Sequence, residues 1–522
     1  MLSLKNVKVP IYYEGSLEDF IENYLKRDII DYKIIKKSID ARSKHEFCYI
    51  YEFGVTIKDE EKFIKYNKNK NKNITKYEEI VYNFPESGDK TLNSQPVIVG
   101  LGPAGLFASY FLAKHGYKPI IFERGKRIEE RIKDVDTFWR EGILNKNSNV
   151  QFGEGGAGTF SDGKLNTQVK DKEGRIKEVL HIFVECGAPE EILYEKNPHI
   201  GTDNLRLVVK NMRKKIIEYG GVIHYNSTLE DIIIKDEKLD SIIVNGEAFK
   251  TDVLVLATGH SAKDTFNMLY ERRVNITSKP FAIGIRIVHP QDLINKCQYP
   301  DFYPNLPSAT YKLTYNSSGR GVYSFCMCPG GFIVNASSDE ATVLINGMSN
   351  YLRDSGFANS AIIVTVSESD FGPNPLDGLK YVENIEKRAY ELSNGLIPIQ
   401  RFIDYENNII SSDILDIDKF VKGSTKYIDI NEILPEYINS SLKEGINYFN
   451  KLIPGFNEGI ILAPETRTSS PVRILRGVNL ESNISGLYPC GEGSGYAGGI
   501  TTSAVDGIKV AEMIAKKYQN ML

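Results

Sequence analysis

Three glycines at a fixed spacing give this sequence its clearest chemical signal. Gly100, Gly102 and Gly105 form a Gly-x-Gly-x-x-Gly turn, and Glu123 follows roughly twenty residues later. Gly100 permits a sharp turn, Gly102 lets backbone approach a pyrophosphate, and Gly105 lets a helix pack closely on a strand. Glu123 is placed to accept hydrogen bonds from both hydroxyls of a ribose. The spacing therefore predicts a dinucleotide site.

The elements around this turn are those needed to position it. A β-branched run precedes the turn, residues 104–115 read as a helix directly after it, and an apolar run at 118–122 ends in the acid. The helix N-terminus directs unpaired N–H groups and the positive end of its dipole at the phosphates. We therefore expect Pro103, Ala104 and Arg124 to contact the cofactor.

A second strand, glycine-rich turn and helix closes the chain at 486–490, 491–502 and 503–517, more than 350 residues after the first. Another buried strand, 250–259, ends in Ala-Thr-Gly. Large FAD folds bring distant chain back to the cofactor, whereas NAD is usually held within one contiguous doubly wound domain. The separation of the two turns thus favours FAD over NAD.

Residues 153–165 carry five glycines in thirteen positions, which excludes the interior of a helix or strand. Such a loop lets backbone lie against something flat or anionic, and its apolar residues argue that it is packed. The alternative is a flexible surface loop. We expect Gly156 in this loop, and Arg131 in the charged helix predicted for 126–141, to contact the cofactor.

Five basic side chains are candidates for holding a substrate or moving a proton: Lys164, Arg286, His289, Arg467 and Arg473. An arginine fork matches a planar carboxylate or an enolate. Each arginine is equally compatible with a structural role or a contact to the cofactor. His289 precedes a proline, which favours an extended backbone, and a buried structural histidine is the alternative to proton transfer.

Cys326 and Cys328 invite a redox interpretation, but their spacing matches neither thioredoxin-like proteins nor flavin disulfide reductases. Free thiols and a strained disulfide remain open for this pair. The six cysteines are scattered through a long chain, which favours reduced thiols overall. No cluster of Cys or His has the spacing of metal ligands, so no metal is predicted.

The composition, with 41% hydrophobic and 25% charged residues, is that of an ordinary soluble protein. The chain has 522 residues, a net charge of −4 and a pI near 6.1, which give no reason to expect nucleic acid or an anionic membrane as a partner. It contains no apolar run of membrane-spanning length and no signal-peptide pattern, so a cytoplasmic location is expected. A small-molecule substrate is the expected partner, and the oligomeric state is left open.

The pattern divides the chain into four segments. Residues 1–88 read as an α+β module with ferredoxin-like alternation, including strands at 32–41 and 46–57. Residues 95–262 and 446–522 form the two parts of a discontinuous Rossmann-like FAD-binding domain, and 263–445 form an inserted, mainly β substrate domain. The predicted fold class is therefore α/β. A basic run at 62–76 reads as a solvated loop or as a patch for RNA.

The sequence resembles the FAD-dependent dehydrogenases of the glutathione-reductase-like, two-dinucleotide-domain superfamily. More narrowly, it resembles a widespread bacterial family of uncharacterised FAD-dependent, or NAD(P)/FAD-dependent, dehydrogenases. The match rests on the segments that begin at Gly153, Ile285, Cys326, Arg467 and Cys490. Together these segments span from about residue 95 to the C-terminus.

The resemblance implies that both turns and the Ala-Thr-Gly strand end contact FAD, through Gly100, Gly102, Gly105, Glu123, Thr258, Gly259, Gly491, Glu492, Gly499, Ile500 and Thr501. The first turn would bind the pyrophosphate and Glu123 the adenosine ribose. Gly491 and Glu492 would touch ribitol or pyrophosphate. The last helix would aim its N-terminus at the N1/O2 edge of the flavin, where a helix dipole contributes roughly 0.3–2 kcal/mol to a nearby anion.

A second Gly-x-Gly-x-x-Gly for NAD(P)H is missing between residues 170 and 450. NAD(P)H, if it serves as a transient electron donor, would therefore bind in the open substrate cleft. We predict an FAD-dependent oxidoreductase that transfers hydride between flavin N5 and a small organic substrate, such as an unsaturated or hydroxylated acid. The alternatives are an RNA-acting flavoprotein and a non-catalytic flavin sensor.

Overall fold

The computed structural model describes residues 1–42, 47–67, 71–167, 169–299 and 306–521. Glu46, the predicted first residue of a strand, and residues 68–70 of the basic run lie outside these ranges.

The N-terminal module is a four-stranded antiparallel sheet with two helices packed on one face. Its elements are β1 (Leu2–Pro10), α1 (Leu17–Leu25), β2 (Asp31–Asp40), β3 (Cys48–Thr56), α2 (Glu60–Asn67) and β4 (Ile74–Lys76). The strand order β2-β3-β1-β4 and the alternation of elements are those of a ferredoxin-like fold. Ser16 begins α1 by accepting a hydrogen bond from Asp19 N at 3.0 Å, and Ile21 and Phe63 bury the helices against the sheet.

The next stretch contains the first dinucleotide turn. Its elements are β5 (Val97–Val99), α3 (Pro103–Lys114), β6 (Ile120–Phe122), α4 (Ile128–Glu141), α5 (Arg175–Glu185), α6 (Gly201–Glu218), β7 (Val222–His224), β8 (Leu229–Lys235), β9 (Lys238–Val244), β10 (Glu247–Lys250) and β11 (Leu254–Leu256). Strands β8, β9 and β10 form a separate antiparallel sheet. Asn245 and Gly246, both at positive φ, make the predicted hairpin turn between β9 and β10.

The middle of the chain builds a mainly β unit. Its elements are α7 (Lys263–Glu271), β12 (Ile276–Ser278), β13 (Phe281–Pro290), α8 (Gln291–Gln298), β14 (Thr314–Ser317), β15 (Arg320–Cys328), β16 (Phe332–Asn335), β17 (Ile345–Met348), β18 (Phe357–Val366), α9 (Glu368–Phe371), α10 (Asp377–Ser393), β19 (Ile397–Arg401), α11 (Phe402–Glu406), β20 (Val421–Lys422), β21 (Thr425–Tyr427), α12 (Glu436–Leu452) and β22 (Ile460–Glu465). The chain ends with β23 (Val472–Ile474), β24 (Leu487–Pro489) and α13 (Ile500–Lys517).

A seven-stranded sheet in the order β14-β15-β18-β13-β22-β19-β21 organises the middle unit, and only β19 and β21 pair in parallel. The predicted boundary after residue 445 does not coincide with the edge of this sheet. Strand β22 pairs with both β13 and β19, and α12 packs on the same core through Leu442 and Ile446. The sheet therefore extends to Glu465.

A five-stranded parallel sheet in the order β24-β11-β5-β6-β7 draws its strands from both ends of the chain. Alternate residues face opposite sides, as the pleat requires. Ile98 and Val255 pack against the helices α3, α5, α6 and α13, whereas Val97 and Leu254 face the β8–β10 sheet and α7. The chain thus has the mixed α/β fold that was predicted, with a buried parallel sheet between two layers.

Candidate functional site

A cavity of about 380 Å³ lies at the carboxyl ends of the parallel strands. Residues that follow β5, β6, β11 and β24 line one part of it, and Phe325, Cys326, Asn346 and Glu465 of the middle unit line another. In open parallel sheets this edge is where ligands bind. One cavity is therefore shared by the dinucleotide turns and the seven-stranded sheet.

The first glycine turn forms a wall of the cavity. Gly100 has a φ of +95°, and a Cβ there would lie 2.4 Å from the Ala257 carbonyl oxygen. A Cβ at Gly105 would lie 1.9 Å from the Gly100 oxygen, so only glycine lets α3 approach the strand. Gly102 begins α3 without a capping side chain, with Pro103 directly after it. The first turn of α3 therefore faces the cavity with N–H groups that its own helix cannot pair.

Glu123 lines the cavity and is buried. One of its carboxylate oxygens accepts a hydrogen bond from Leu101 N at 2.7 Å, and the other accepts from Gly125 N at 2.9 Å. The acid therefore fixes the glycine turn as well as facing the cavity. A carboxylate has about four acceptor sites, which leaves capacity for ribose hydroxyls. Its contact to ribose stays a prediction.

Arg124 lies beside Glu123 at the same wall. It donates to Asp264 at 2.6 Å, and its guanidinium lies 4.6 Å from the centre of the Phe152 ring.

Thr265, near the start of α7, is buried and lines the cavity, and its hydroxyl has no hydrogen-bond partner among the described residues. Buried hydroxyls are normally paired, so this one points to a missing ligand.

Arg131 does not line the cavity, contrary to its predicted cofactor contact. It is wholly buried in α4 and donates to the carbonyls of five residues in the loop that follows: Asn149, Val150, Gly153, Glu154 and Gly156. Burial lowers the pKa of Arg131 to about 9, so it stays charged at neutral pH. It holds the glycine-rich loop in shape, and Gly156 of that loop does line the cavity.

The second glycine turn lines the cavity through Glu492, Gly499 and Ile500, and the end of β11 adds Thr258 and Gly259. Helix α13 begins after Gly499 without a capping side chain, so a second helix N-terminus faces the same space.

Two predicted contacts of this second turn lie just behind the wall. A Cβ on Gly491 would lie 2.7 Å from the Ala104 Cβ, so Gly491 serves the packing of the turn against α3. Thr501 donates to the Leu165 carbonyl at 2.7 Å and ties α13 to the glycine-rich loop.

Lys164 lines the cavity, as a candidate catalytic residue should. Its Nζ lies 2.8 Å from Asp162 and also donates to the Met327 carbonyl. Asp162 in turn accepts from Arg353 Nη2 at 2.6 Å and from the Ser349 hydroxyl. Burial disfavours the charge of Lys164, but Asp162 outweighs it and raises the pKa of Lys164. The amine therefore stays protonated and can donate a hydrogen bond, but it cannot act as a base at neutral pH.

Arg286 lies immediately behind the cavity, and two of its hydrogen-bond partners line it. Its guanidinium donates to Glu465 at 2.7 and 3.0 Å, and further bonds run to Asn359 and Asn346. Burial disfavours the charge of Arg286, yet the Glu465 carboxylate raises its pKa. A Cβ on Gly347 would lie 2.2 Å from Arg286 Nη1, so the glycine makes room for the ion pair. The two partners that line the cavity are Glu465 and Asn346, and Arg286 itself does not line it.

Arg467 lines the cavity, but its donors are engaged elsewhere. It makes two bonds to Glu386, at 2.9 and 2.8 Å, one to Asp339 at 2.7 Å and one to Ser338 at 2.6 Å. Its carbonyl accepts from His260 Nε2 at 3.0 Å. No fork is left for a substrate carboxylate, so Arg467 ties together segments that border the cavity.

His289 lies away from the cavity. It is buried, and its Nε2 donates to the Phe456 carbonyl at 2.7 Å. Burial lowers the pKa of His289 to about 4, so the ring is neutral at physiological pH. His289 therefore matches the structural alternative, because it is buried, paired with a backbone carbonyl and away from the cavity, and the proton-transfer role is not retained. Arg473 is likewise outside the cavity, with its guanidinium 5.2 Å from the Tyr496 ring.

The sequence reasoning missed several residues of the cavity. Asp162 and Glu465 stood in or beside quoted segments but carried no role, and Asn346, Thr265 and His260 were not singled out. Polar residues that follow predicted strands are a general pointer to such sites, and His260 follows the strand that ends in Gly259.

The described residues hold no group of three or more metal-ligating side chains that could bind a metal ion. Across the same residues, no helix is both long and apolar enough to cross a bilayer. Within the described residues, no cysteine takes part in a disulfide bond.

A parallel sheet with two uncapped helix N-termini and a glycine turn on one cavity defines a dinucleotide-binding α/β protein. Residues 280–468 match the family model described as "FAD-dependent protein, C-terminal domain-like". The chain is 46% identical over 506 residues to an uncharacterised protein of Clostridium beijerinckii, covering 95% of this chain and 94% of that protein. It therefore belongs to the same family as the clostridial protein, and it is an FAD-dependent protein, as predicted.

More distant similarities are weaker. A thiamine thiazole synthase of Thermotoga maritima is 27% identical over 167 residues, which cover 32% of this chain and 52% of the synthase. An L-proline dehydrogenase from P. horikoshii aligns with 83% of this chain and 96% of its own, at 14% identity and a TM-score of 0.35, which is too low to support an argument. No comparison supports the RNA-acting or sensor alternatives.

The residues of the cavity fit FAD. Gly102 and Gly156 both line the cavity, and a Cβ on Gly102 would make only an ordinary contact with the Gly156 Cα at 3.6 Å, so the packing of the protein itself does not require glycine at position 102. The two uncapped helix starts offer N–H groups to a pyrophosphate and to an anionic ring edge. The unpaired Thr265 hydroxyl offers one further hydrogen bond.

Proposed function

We propose that this chain is an oxidoreductase in which FAD and a small organic substrate share the single cavity, as in the glutathione-reductase-like superfamily. The observation that carries the proposal is that both glycine turns, Lys164, Asn346 and Glu465 line one continuous space. Bound FAD supplies two-electron hydride chemistry at its isoalloxazine ring. The chain's own part is to bind the cofactor, orient the substrate and control protons.

The binding role falls to the parallel-sheet edge. The first turn of α3, from Gly102 and Ala104, would hold the pyrophosphate, and Glu123 would hold the adenosine ribose. The N-terminus of α13, at Gly499 and Ile500, would place its dipole beside the flavin. Thr258, Gly259 and Glu492 would complete the walls.

The substrate role falls to the side of the cavity that the middle unit provides. Lys164 remains protonated beside Asp162, so it would donate a hydrogen bond to a substrate oxygen and stabilise negative charge there. Asn346 and Glu465, held by Arg286, would fix the position of the substrate. Arg286 and Arg467 act on the substrate through these neighbours and are positioning residues.

Gly102→Val is expected to weaken FAD binding by about 100-fold or more, because the new methyl groups would cover the start of α3, where the pyrophosphate is proposed to bind, although the Cβ itself meets only an ordinary contact at 3.6 Å. Two hydrogen bonds to a charged phosphate are worth roughly 1.5–3 kcal/mol each, and 1.4 kcal/mol is tenfold in affinity. The measurement is the flavin-to-protein ratio on purification and a titration of apoprotein with FAD. Gly321→Val is the control, since a Cβ there meets only ordinary contacts at 3.5 Å or more. Equal FAD affinity of the two variants would contradict the site.

The enzymatic role is tested anaerobically on the purified flavoprotein in two directions: NAD(P)H or single metabolites are added to the oxidised flavin, and single metabolites are added to the photoreduced flavin. We expect at least one hydroxylated acid to bleach the oxidised flavin, or at least one unsaturated acid to restore the blue absorption of the reduced flavin. Lys164→Met should retain FAD and lose at least about tenfold in the rate of that reduction or reoxidation, since a charge-assisted hydrogen bond contributes roughly 1.5–3 kcal/mol. A flavin that no metabolite reduces or reoxidises would count against the oxidoreductase and favour a sensor.

A further inference from the structure

Strand β15 is interrupted at the cavity wall. It pairs with β18 up to Phe325 and resumes at Cys328, which leaves Cys326 and Met327 outside the ladder. Cys326 has a φ of +42°, a left-handed conformation that is uncommon for a residue with a side chain. Bulges of this kind re-aim side chains next to active sites. Here Cys326 lines the cavity, whereas Cys328 is fully buried behind it.

The two thiols interact directly. The Cys328 thiol donates to the Cys326 carbonyl at 3.2 Å. Arg286 Nη1 donates to the Cys326 carbonyl at 3.3 Å and lies 4.0 Å from the Cys328 sulfur. Lys164 donates to the carbonyl of Met327, between the cysteines. The segment that carries both thiols is therefore held by Lys164, which is proposed to contact the substrate, and by Arg286, which is proposed to position the residues around it.

Lys164 and Arg286 are the cations beside the pair, and each is itself paired with a carboxylate, Lys164 with Asp162 and Arg286 with Glu465. The hydrogen bond from Cys328 and the charges of Lys164 and Arg286 lower the pKa of Cys326 well below its usual value. The same hydrogen bond and burial raise the pKa of Cys328. An accessible, acidic thiol beside a buried, protonated one is the asymmetry of a dithiol that opens and closes a disulfide.

We propose that Cys326 and Cys328 form a dithiol–disulfide centre that exchanges two electrons with the flavin in the adjoining cavity, an inference that rests on the proposed FAD site. When the disulfide forms, the sulfurs join and two electrons and two protons leave the thiols for oxidised flavin. In the reverse direction the S–S bond breaks, and the same two electrons and two protons return from reduced flavin to the sulfurs. The protein then stores four electrons, two on the flavin and two on the sulfurs.

The test is an anaerobic dithionite titration of the fully oxidised flavoprotein, with Cys326→Ser and Cys328→Ser as variants. Cys297→Ser is the matched control, because Cys297 is a partly buried free thiol outside the cavity. We expect the wild type and the control to take up four electron equivalents per FAD, and each variant of the pair to take up two. Two equivalents per FAD in the wild type would overturn the proposal.

Peptide mass provides a readout that is independent of the flavin spectrum. In oxidised protein alkylated under denaturing conditions, the peptide that holds Cys326 and Cys328 should resist alkylation and be lighter by two hydrogen atoms than after reduction. Full alkylation of both cysteines in oxidised holoprotein would also overturn the centre. Failure of the proposed FAD site gives a different result. Protein without bound flavin shows no change in flavin absorbance on addition of dithionite, whatever the state of the cysteines.

Discussion

Arg131→Met is expected to destabilise the protein by about 3–5 kcal/mol and to release FAD, although the arginine does not line the cavity. The guanidinium is fully buried and bonds to loop carbonyls at 2.7 to 3.2 Å. Methionine fills a similar volume but donates nothing, and each buried carbonyl left without a partner costs about 1–3 kcal/mol before the loop relaxes. Because Gly156 belongs to this loop and lines the cavity, the loss of shape should reach the cofactor.

The measurement is urea unfolding of the apoproteins together with FAD titration. Arg206→Met is the matched control, since its guanidinium lies 5.0 Å from the same Phe160 ring that Arg131 contacts at 4.9 Å. The Nε of Arg206 has no hydrogen-bond partner among the described residues, so its loss should cost about 1 kcal/mol or less. If the two variants have the same free energy of unfolding, Arg131 does not organise the glycine-rich loop.

Arg286→Met is the second large effect, with an expected loss of about 3–5 kcal/mol in the free energy of unfolding. The substitution leaves the Glu465 carboxylate buried without its bidentate partner, and breaking a buried pair costs that much. Replacing both partners, in Arg286→Met with Glu465→Leu, should recover most of the loss, because apolar groups carry no desolvation penalty.

A double-mutant cycle on unfolding free energies measures this coupling. Flavin binding should survive in the double variant, while reoxidation by substrate should be lost, because Glu465 lines the cavity and Arg286 holds it. A double variant no more stable than Arg286→Met alone would show that the pair is not the reason for the loss. Arg286→Lys distinguishes geometry from charge, since lysine cannot make the bidentate contact.

The parts of the site that could be predicted are those whose signal is local. Gly100, Gly102 and Gly105 lie within six residues of one another, so their spacing is visible in the sequence. Glu123 accepts a hydrogen bond from Leu101 N in the same turn. Of the predicted contacts of the second turn, Glu492, Gly499 and Ile500 line the same cavity, whereas Gly491 and Thr501 lie behind its wall. The roles of these residues toward FAD remain predictions.

The candidate catalytic residues were harder to assign, because residue type does not reveal which face a side chain occupies. Lys164 lines the cavity with free capacity, Arg467 lines it with its donors used, and Arg286 and His289 lie behind or away from it. The state of Cys326 and Cys328 stayed open, since the spacing of two cysteines does not reveal a bulge in β15. Burial and pairing with distant chain decided each case.

The sequence by itself determined that this chain folds an α/β protein around two dinucleotide turns, because strand, turn and helix propensities act over a few residues. Only the tertiary structure decided what stands opposite those turns. Arg286 meets Glu465 across 179 positions where β13 and β22 pair in the seven-stranded sheet, and Lys164 of the glycine-rich loop meets Met327 of that sheet across 163 positions. The chemistry of the cavity is thus set by long-range pairing of buried charges, which no local pattern of residues encodes.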